Sequence, residues 1–121
     1  MSKVYIKYEE YKFPPLLKMI IHGAIHYRQD RATFQRYRES INTAANVAGI
    51  LYPIDYPIDV EVVFIDPTSP DIANCIMALY RAMDGKALKG KSLLTDDGLI
   101  SKVSAMKFYP SERGRAENRV P

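Results

Sequence analysis

Polar and apolar positions alternate from residue 3 to residue 10, Lys-Val-Tyr-Ile-Lys-Tyr-Glu-Glu, which puts Val4, Ile6 and Tyr8 on one side. That period predicts an edge or hairpin strand. Phe13-Pro14-Pro15 ends it, because proline has no N–H to give to a ladder. The next stretch, 16–30, is undecided between a strand and a packed loop: Leu16 to Ile25 is apolar enough for either. The period then lengthens. Phe34, Tyr37, Ile41, Ala44 and Ala48 recur three and four residues apart, one stripe of a helix over 32–48. Asp30 or Thr33 can cap its start, and Gly49 can take the left-handed conformation past its end. After the prolines at 53 and 57, residues 58–65 alternate again, with Ile58, Val60, Val62 and Phe64 on one face. Val63 and Ile65 add apolar surface on the other face, as a central strand requires.

The stretch from Asp66 to Gly85 organises the second half. Ile72, Ile76, Leu79 and Met83 form a helical stripe with Gly85 as its stop. Two starts compete: Ser69 as cap with Pro70 in the first turn, or an extended chain up to Asn74, which then caps. The choice has a chemical consequence. Positions 71 and 73 point the same way on an extended chain and about 200° apart on a helix. Residues 86–95, rich in Lys, Gly and Ser, read as a mobile loop. Asp96-Asp97-Gly98 reads as a turn and 99–109 as a strand that closes the sheet. From Pro110 no apolar pattern remains, so the expected organisation is one domain over 1–109 and a polar tail over 110–121.

Composition narrows the class without fixing the function. At 121 residues the chain can bury a modest core, and 47% hydrophobic with 26% charged residues is ordinary for a globular domain. No apolar run reaches the ~18 residues of a membrane span, and the start lacks a signal-peptide pattern, so a cytoplasmic protein is expected. Cys75 is the one cysteine, which excludes an intramolecular disulfide and a cysteine-rich zinc site. His22 and His26 would share a face on a helix, but a metal pair there lacks a third ligand.

The net charge of +3 is mild, and its distribution says more than its size. Arg28, Arg31, Arg36 and Arg38 cluster with Tyr27, Phe34 and Tyr37, and the arginines at 31, 36 and 38 fall mainly off the helix stripe, toward solvent or a ligand. Lys86, Lys89 and Lys91 form a second group, and Lys102 and Lys107 lie on the last strand. Basic clusters near carboxylates suit a polyanion whose reacting phosphate is held by metal. Read singly, Asp71 is a helix first-turn acid, Asp96-Asp97 a polar turn and the basic residues a solvated face.

Taken together, the order of elements resembles the RusA-like Holliday-junction resolvases, small and often phage-encoded nucleases. Phe13-Pro14-Pro15 is similar to the family's early proline pair and Tyr37-Arg38 to a motif of its first helix. The strand over 57–63, Asp71-Ile72-Ala73-Asn74, and Asp96-Asp97-Gly98-Leu99-Ile100 follow in the family's order. The resemblance implies an α+β fold, a small mixed β-sheet with helices packed against it, assembled as a homodimer. It implies metal-dependent cleavage of four-way DNA with Mg2+ or Mn2+, a catalytic set at Asp71, Ala73, Asp96 and Asp97, and metal ligands at Asp71 and Asp97. Arg28, Arg31, Arg36, Arg38, Lys102 and Lys107 are the expected DNA contacts.

Two positions depart from the family pattern. Ala73 stands where the family has a second aspartate, and Met77 where it usually has a lysine, with Arg81 one turn on as a substitute charge. The resemblance therefore implies a weakened or inactivated nuclease. The alternative is a branched-DNA-binding protein that does not cut, and a third reading is an interaction protein with no nucleic-acid role.

Overall fold

The computed structural model describes residues 3–68 and 71–109. The alternating stretch at the start forms β1 (Lys3–Glu9), and the undecided segment after it resolves as β2 (Leu16–His22). Leu17, Met19 and Ile21 of β2 are buried, a period of two that settles the choice against helix. His22 therefore lies on a strand and His26 in the loop beyond, and no helix face joins them.

The first helix, α1 (Arg31–Val47), is capped by Asp30, whose carboxylate accepts from Thr33 N at 2.8 Å. Its other end closes with Gly49 at φ +76°, Gly49 N donating to Asn46 O and Ile50 N to Ala45 O. That pair of bonds satisfies carbonyls the last turn would otherwise leave open. The chain continues into β3 (Ile58–Ile65), α2 (Ile72–Met83), a single 3-10 turn at Asp97–Leu99 and β4 (Ile100–Phe108).

The sheet order is β1-β2-β3-β4. β1 and β2 form an antiparallel pair, whereas β2, β3 and β4 run parallel, each parallel step crossing over through a helix. The fold is thus a small α+β domain with a mixed four-stranded sheet and two helices. Ile58, Val60, Val62 and Phe64 of β3 are buried against Phe34, Ile41, Cys75 and Leu79 of the helices. α1 lies on the β1 side and α2 on the β4 side of the same face. The opposite face of the sheet carries no helix.

The segment between α2 and β4 is anchored rather than a free polar loop. Leu88, Leu93 and Leu94 are buried, and Leu94 bridges both Ile54 and Asp84. Three leucines spaced among lysines and glycines supply the core contacts that the segment's polar composition concealed. The expected polar tail over 110–121 and the Ser69–Pro70 cap lie outside the described residues. No helix among those described is long and apolar enough to cross a membrane.

Candidate metal centre

Both helices start where the parallel strands end, so α2 runs from the carboxyl edge of the sheet back to its amino edge. Asp71 is the N-cap of α2: its φ of −96° and ψ of 120° are extended, and its Oδ1 accepts from Ala73 N at 2.9 Å. Of the two expected starts, the Asn74 cap is replaced by one three residues earlier. The aspartate does the capping because its short carboxylate reaches the N–H two residues on. Ala73 is helical, exposed, and contributes only its backbone N–H to that bond.

The other end of α2 carries different chemistry. Asp84 caps it, and one carboxylate oxygen each from Asp84, Asp96 and Asp97 lie within 4.8 Å of one another. A 12-residue helix rises about 18 Å, so Asp71 and Asp84 stand on opposite sides of the domain. The expected pairing of Asp71 with Asp97 as joint metal ligands does not occur within this chain. Asp97 joins Asp84 and Asp96 instead, because it follows the anchored segment to the start of β4, on the far side of the sheet from the start of α2. Asp84, which sequence reasoning passed over, was visible only as the acid just past the helix stripe.

Each acid of this group has a distinct state. Asp84 Oδ1 accepts from Lys86 N at 3.0 Å. Asp96 accepts from Gly98 N at 2.9 Å and pairs with Lys86 Nζ at 2.8 Å. The Lys86 contact, then the Gly98 N–H, hold the Asp96 carboxyl below its usual pKa. Asp97 goes the other way: partial burial, then the charges of Asp84 and Asp96, raise its pKa. The three acids are half-buried. Carboxylate oxygens are the donors that hard divalent cations take. Around Mg2+ such donors stand at most about 4.2 Å apart, so the group needs to close by only a few tenths of an ångström. Lys86 already balances part of the charge, and a cation entering the group competes with it.

Arg38, expected on a DNA-binding face, is fully buried. Its Nε donates to Ala82 O and its Nη1 to Leu88 O, both at 2.9 Å, and its Nη2 donates to Asp84 O. It is a clamp between α1, the end of α2 and the segment after it. The helix period allowed this: position 38 sits beside Tyr37 and Ile41 on the stripe's flank, and α2 covers that flank. Arg81, the expected substitute charge, lies 4.0 Å from the centre of the Phe34 ring and seals the two helices together. Met77 is half exposed.

The remaining basic residues stay accessible. Arg28 and Arg31 are exposed before and at the first turn of α1, with Arg28 6.0 Å from the Tyr27 ring centre. Arg36 is exposed, its Nη2 donating to the Thr33 hydroxyl at 3.2 Å. Lys107, near the end of β4, lies 5.6 Å from the Tyr109 ring centre. These four share the carboxyl edge of the sheet with Asp71, whereas Lys102 lies at the start of β4 near the acidic group. Comparison with family models, curated proteins and solved structures finds no match to this chain.

Proposed function

We propose that the chain is a metal-dependent endonuclease of RusA-like character acting on four-way or branched DNA. In this reading Asp84, Asp96 and Asp97 hold Mg2+ or Mn2+, replacing the Asp71–Asp97 pair expected from sequence. The observation that carries it is the meeting of three carboxylates within 4.8 Å in the segment that bears Asp96-Asp97-Gly98-Leu99-Ile100. When bound, a divalent ion lowers the pKa of a coordinated water and neutralises charge on a phosphate. Asp97 is the acid least balanced by other groups, so it gains most from a cation. Arg28, Arg31, Arg36, Lys102 and Lys107 grip the phosphate backbone, which positions DNA without reading its sequence. Symmetric cuts in a four-way junction call for a twofold dimer.

A second reading has its own support: a branched-DNA-binding protein that does not cut. Asp71 serves as a helix cap and Ala73 offers no carboxylate, so the carboxyl edge, where most of the accessible arginines gather, has the cations without a cluster of acids.

The test is nicking of a labelled four-way junction with Mg2+ or Mn2+ by wild type, Asp97→Asn and Ala73→Asp, alongside thermal melts with and without metal. The nuclease reading expects metal to raise the wild-type melting temperature, Asp97→Asn to abolish both that rise and the nicking, and junction binding to survive. Equal nicking by Asp97→Asn removes the acidic group from the mechanism. Binding without nicking in wild type and Ala73→Asp alike selects the second reading. Absence of junction binding ends the nucleic-acid hypothesis.

A further inference from the structure

The face of the sheet turned away from the helices is built as four cross-strand rows, each one residue per strand. One row is Tyr5, Ile20, Val63 and Met106, paired in that order across the sheet. It is apolar from edge to edge, and Tyr5, Ile20 and Met106 are 56%, 42% and 59% exposed. The row beyond it adds Ile65 and Phe108 beside Lys3 and His22. The two rows on its other side are charged: Lys7, Lys18, Glu61 and Ser104, then Glu9, Leu16, Asp59 and Lys102. A shallow cleft of about 360 Å³ runs between the apolar row and its charged neighbour, lined by Tyr5, Lys7, Lys18, Ile20, Glu61 and Val63.

Sheets buried on one face keep alternating sequences with polar residues on the other. Here the outward positions of the middle row are as apolar as a core, which marks a face that another surface covers. The charged rows identify the surface. A twofold axis across the strands, through the apolar row, stacks that row on itself but sets Lys7 against the partner's Lys3. A twofold axis along the strands, between β2 and β3, also stacks apolar on apolar: Tyr5 over Met106 and Ile20 over Val63 of the second copy. It further sets Lys18 over Glu61 and Glu9 over Lys102. Only the second arrangement makes the face complementary to itself in both apolarity and charge. Two such sheets pack about 10 Å apart with their strands aligned to within about 30°.

We infer that this open sheet face is the contact between two copies of the chain, related by a twofold axis along the strands. The inference gives a surface to the dimer of the nuclease reading but rests on the sheet alone, and its test uses neither DNA nor metal. Tyr5 and Met106 occupy the two outer strands, about 14 Å apart across three strand spacings, too far for a disulfide within one chain. In the dimer they face one another across the axis.

The experiment is oxidation of full-length Tyr5→Cys/Met106→Cys, read by non-reducing electrophoresis, with sedimentation of the unmodified chain. Cys75 is buried and stays silent. The expected result is a dimer in solution and a reducible covalent dimer from the double variant, with neither single variant cross-linking. Met106→Glu, a change at a half-exposed position, is expected to give a folded monomer by circular dichroism and sedimentation. A monomeric wild type overturns the inference, as does a dimer that survives Met106→Glu. Cross-linking by Tyr5→Cys alone overturns the axis, since it places Tyr5 on its own copy.

Discussion

A guanidinium enclosed among apolar side chains must find acceptors for its N–H groups, and Arg38 finds three backbone carbonyls, those of Ala82, Asp84 and Leu88. Those carbonyls are left open where α2 ends, so one side chain closes the helix and fixes the segment after it. Arg38→Met keeps much of the volume but strands all three acceptors. It is expected to cost about 3 kcal/mol or more in urea denaturation. Arg38→Lys, with a single ammonium, recovers only part, because one nitrogen cannot span carbonyls that the forked group reaches separately. Asp30 makes a smaller and pH-dependent contribution. Its bond from Thr33 N holds its carboxyl below the usual range. A folded pKa below the unfolded one means stability that is present above the unfolded value of about 3.9 and lost as pH falls through the folded one. Asp30→Ala is therefore expected to melt below wild type at pH 7, with the gap closing below about pH 4, followed by circular dichroism.

At the scale of elements, the ends of α2 decide where chemistry gathers. Its N-cap consumes Asp71, and its C-terminal side brings Asp84 to the turn before β4. Gly85 is the pivot between helix and anchored segment. A Cβ there would lie 2.9 Å from the carbonyls of Leu94 and Thr95 and from the Ser92 hydroxyl. Two of those three are backbone and cannot swing aside. Gly85→Ala is expected to destabilise the domain by about 1–3 kcal/mol. Because Asp84 and Lys86 flank the pivot, the same change is expected to weaken divalent-cation binding in calorimetry by more than Met77→Ala, a change on an exposed turn of α2. Equal affinity in the two variants would separate the acidic group from the packing of this segment.

At the scale of the whole molecule, basic and acidic groups divide between the two ends of the sheet. Arg28, Arg31, Arg36 and Lys107 stand at the carboxyl edge, and Asp84, Asp96 and Asp97 at the amino edge. If the arginines neutralise phosphates, log affinity for a four-way junction falls linearly with log salt, by roughly one unit of slope per contact. Arg31→Ala/Arg36→Ala is expected to reduce that slope by about 2 while leaving the melting temperature near wild type, since both side chains are exposed. An unchanged slope would assign those arginines to solvent.

What the sequence determined by itself was local. The period of apolar positions located α1, β3, β4 and the body of α2, and Asp30 and Gly49 marked the ends of α1, because capping and periodicity depend on residues within a turn of one another. The mixed sheet of an α+β domain was equally legible from the order of those elements. Only the tertiary structure decided which face of each element is covered, and therefore which charges remain available. Arg38 reads as a surface charge until α2 is laid across it. Leu88, Leu93 and Leu94 read as scattered until Ile54 meets them. Asp97 reads as a partner of Asp71 until a helix of about 18 Å separates the acids and delivers Asp84 in its place. Burial and charge pairing are set by residues far apart in the chain, so they are fixed by packing and cannot be read from spacing along it.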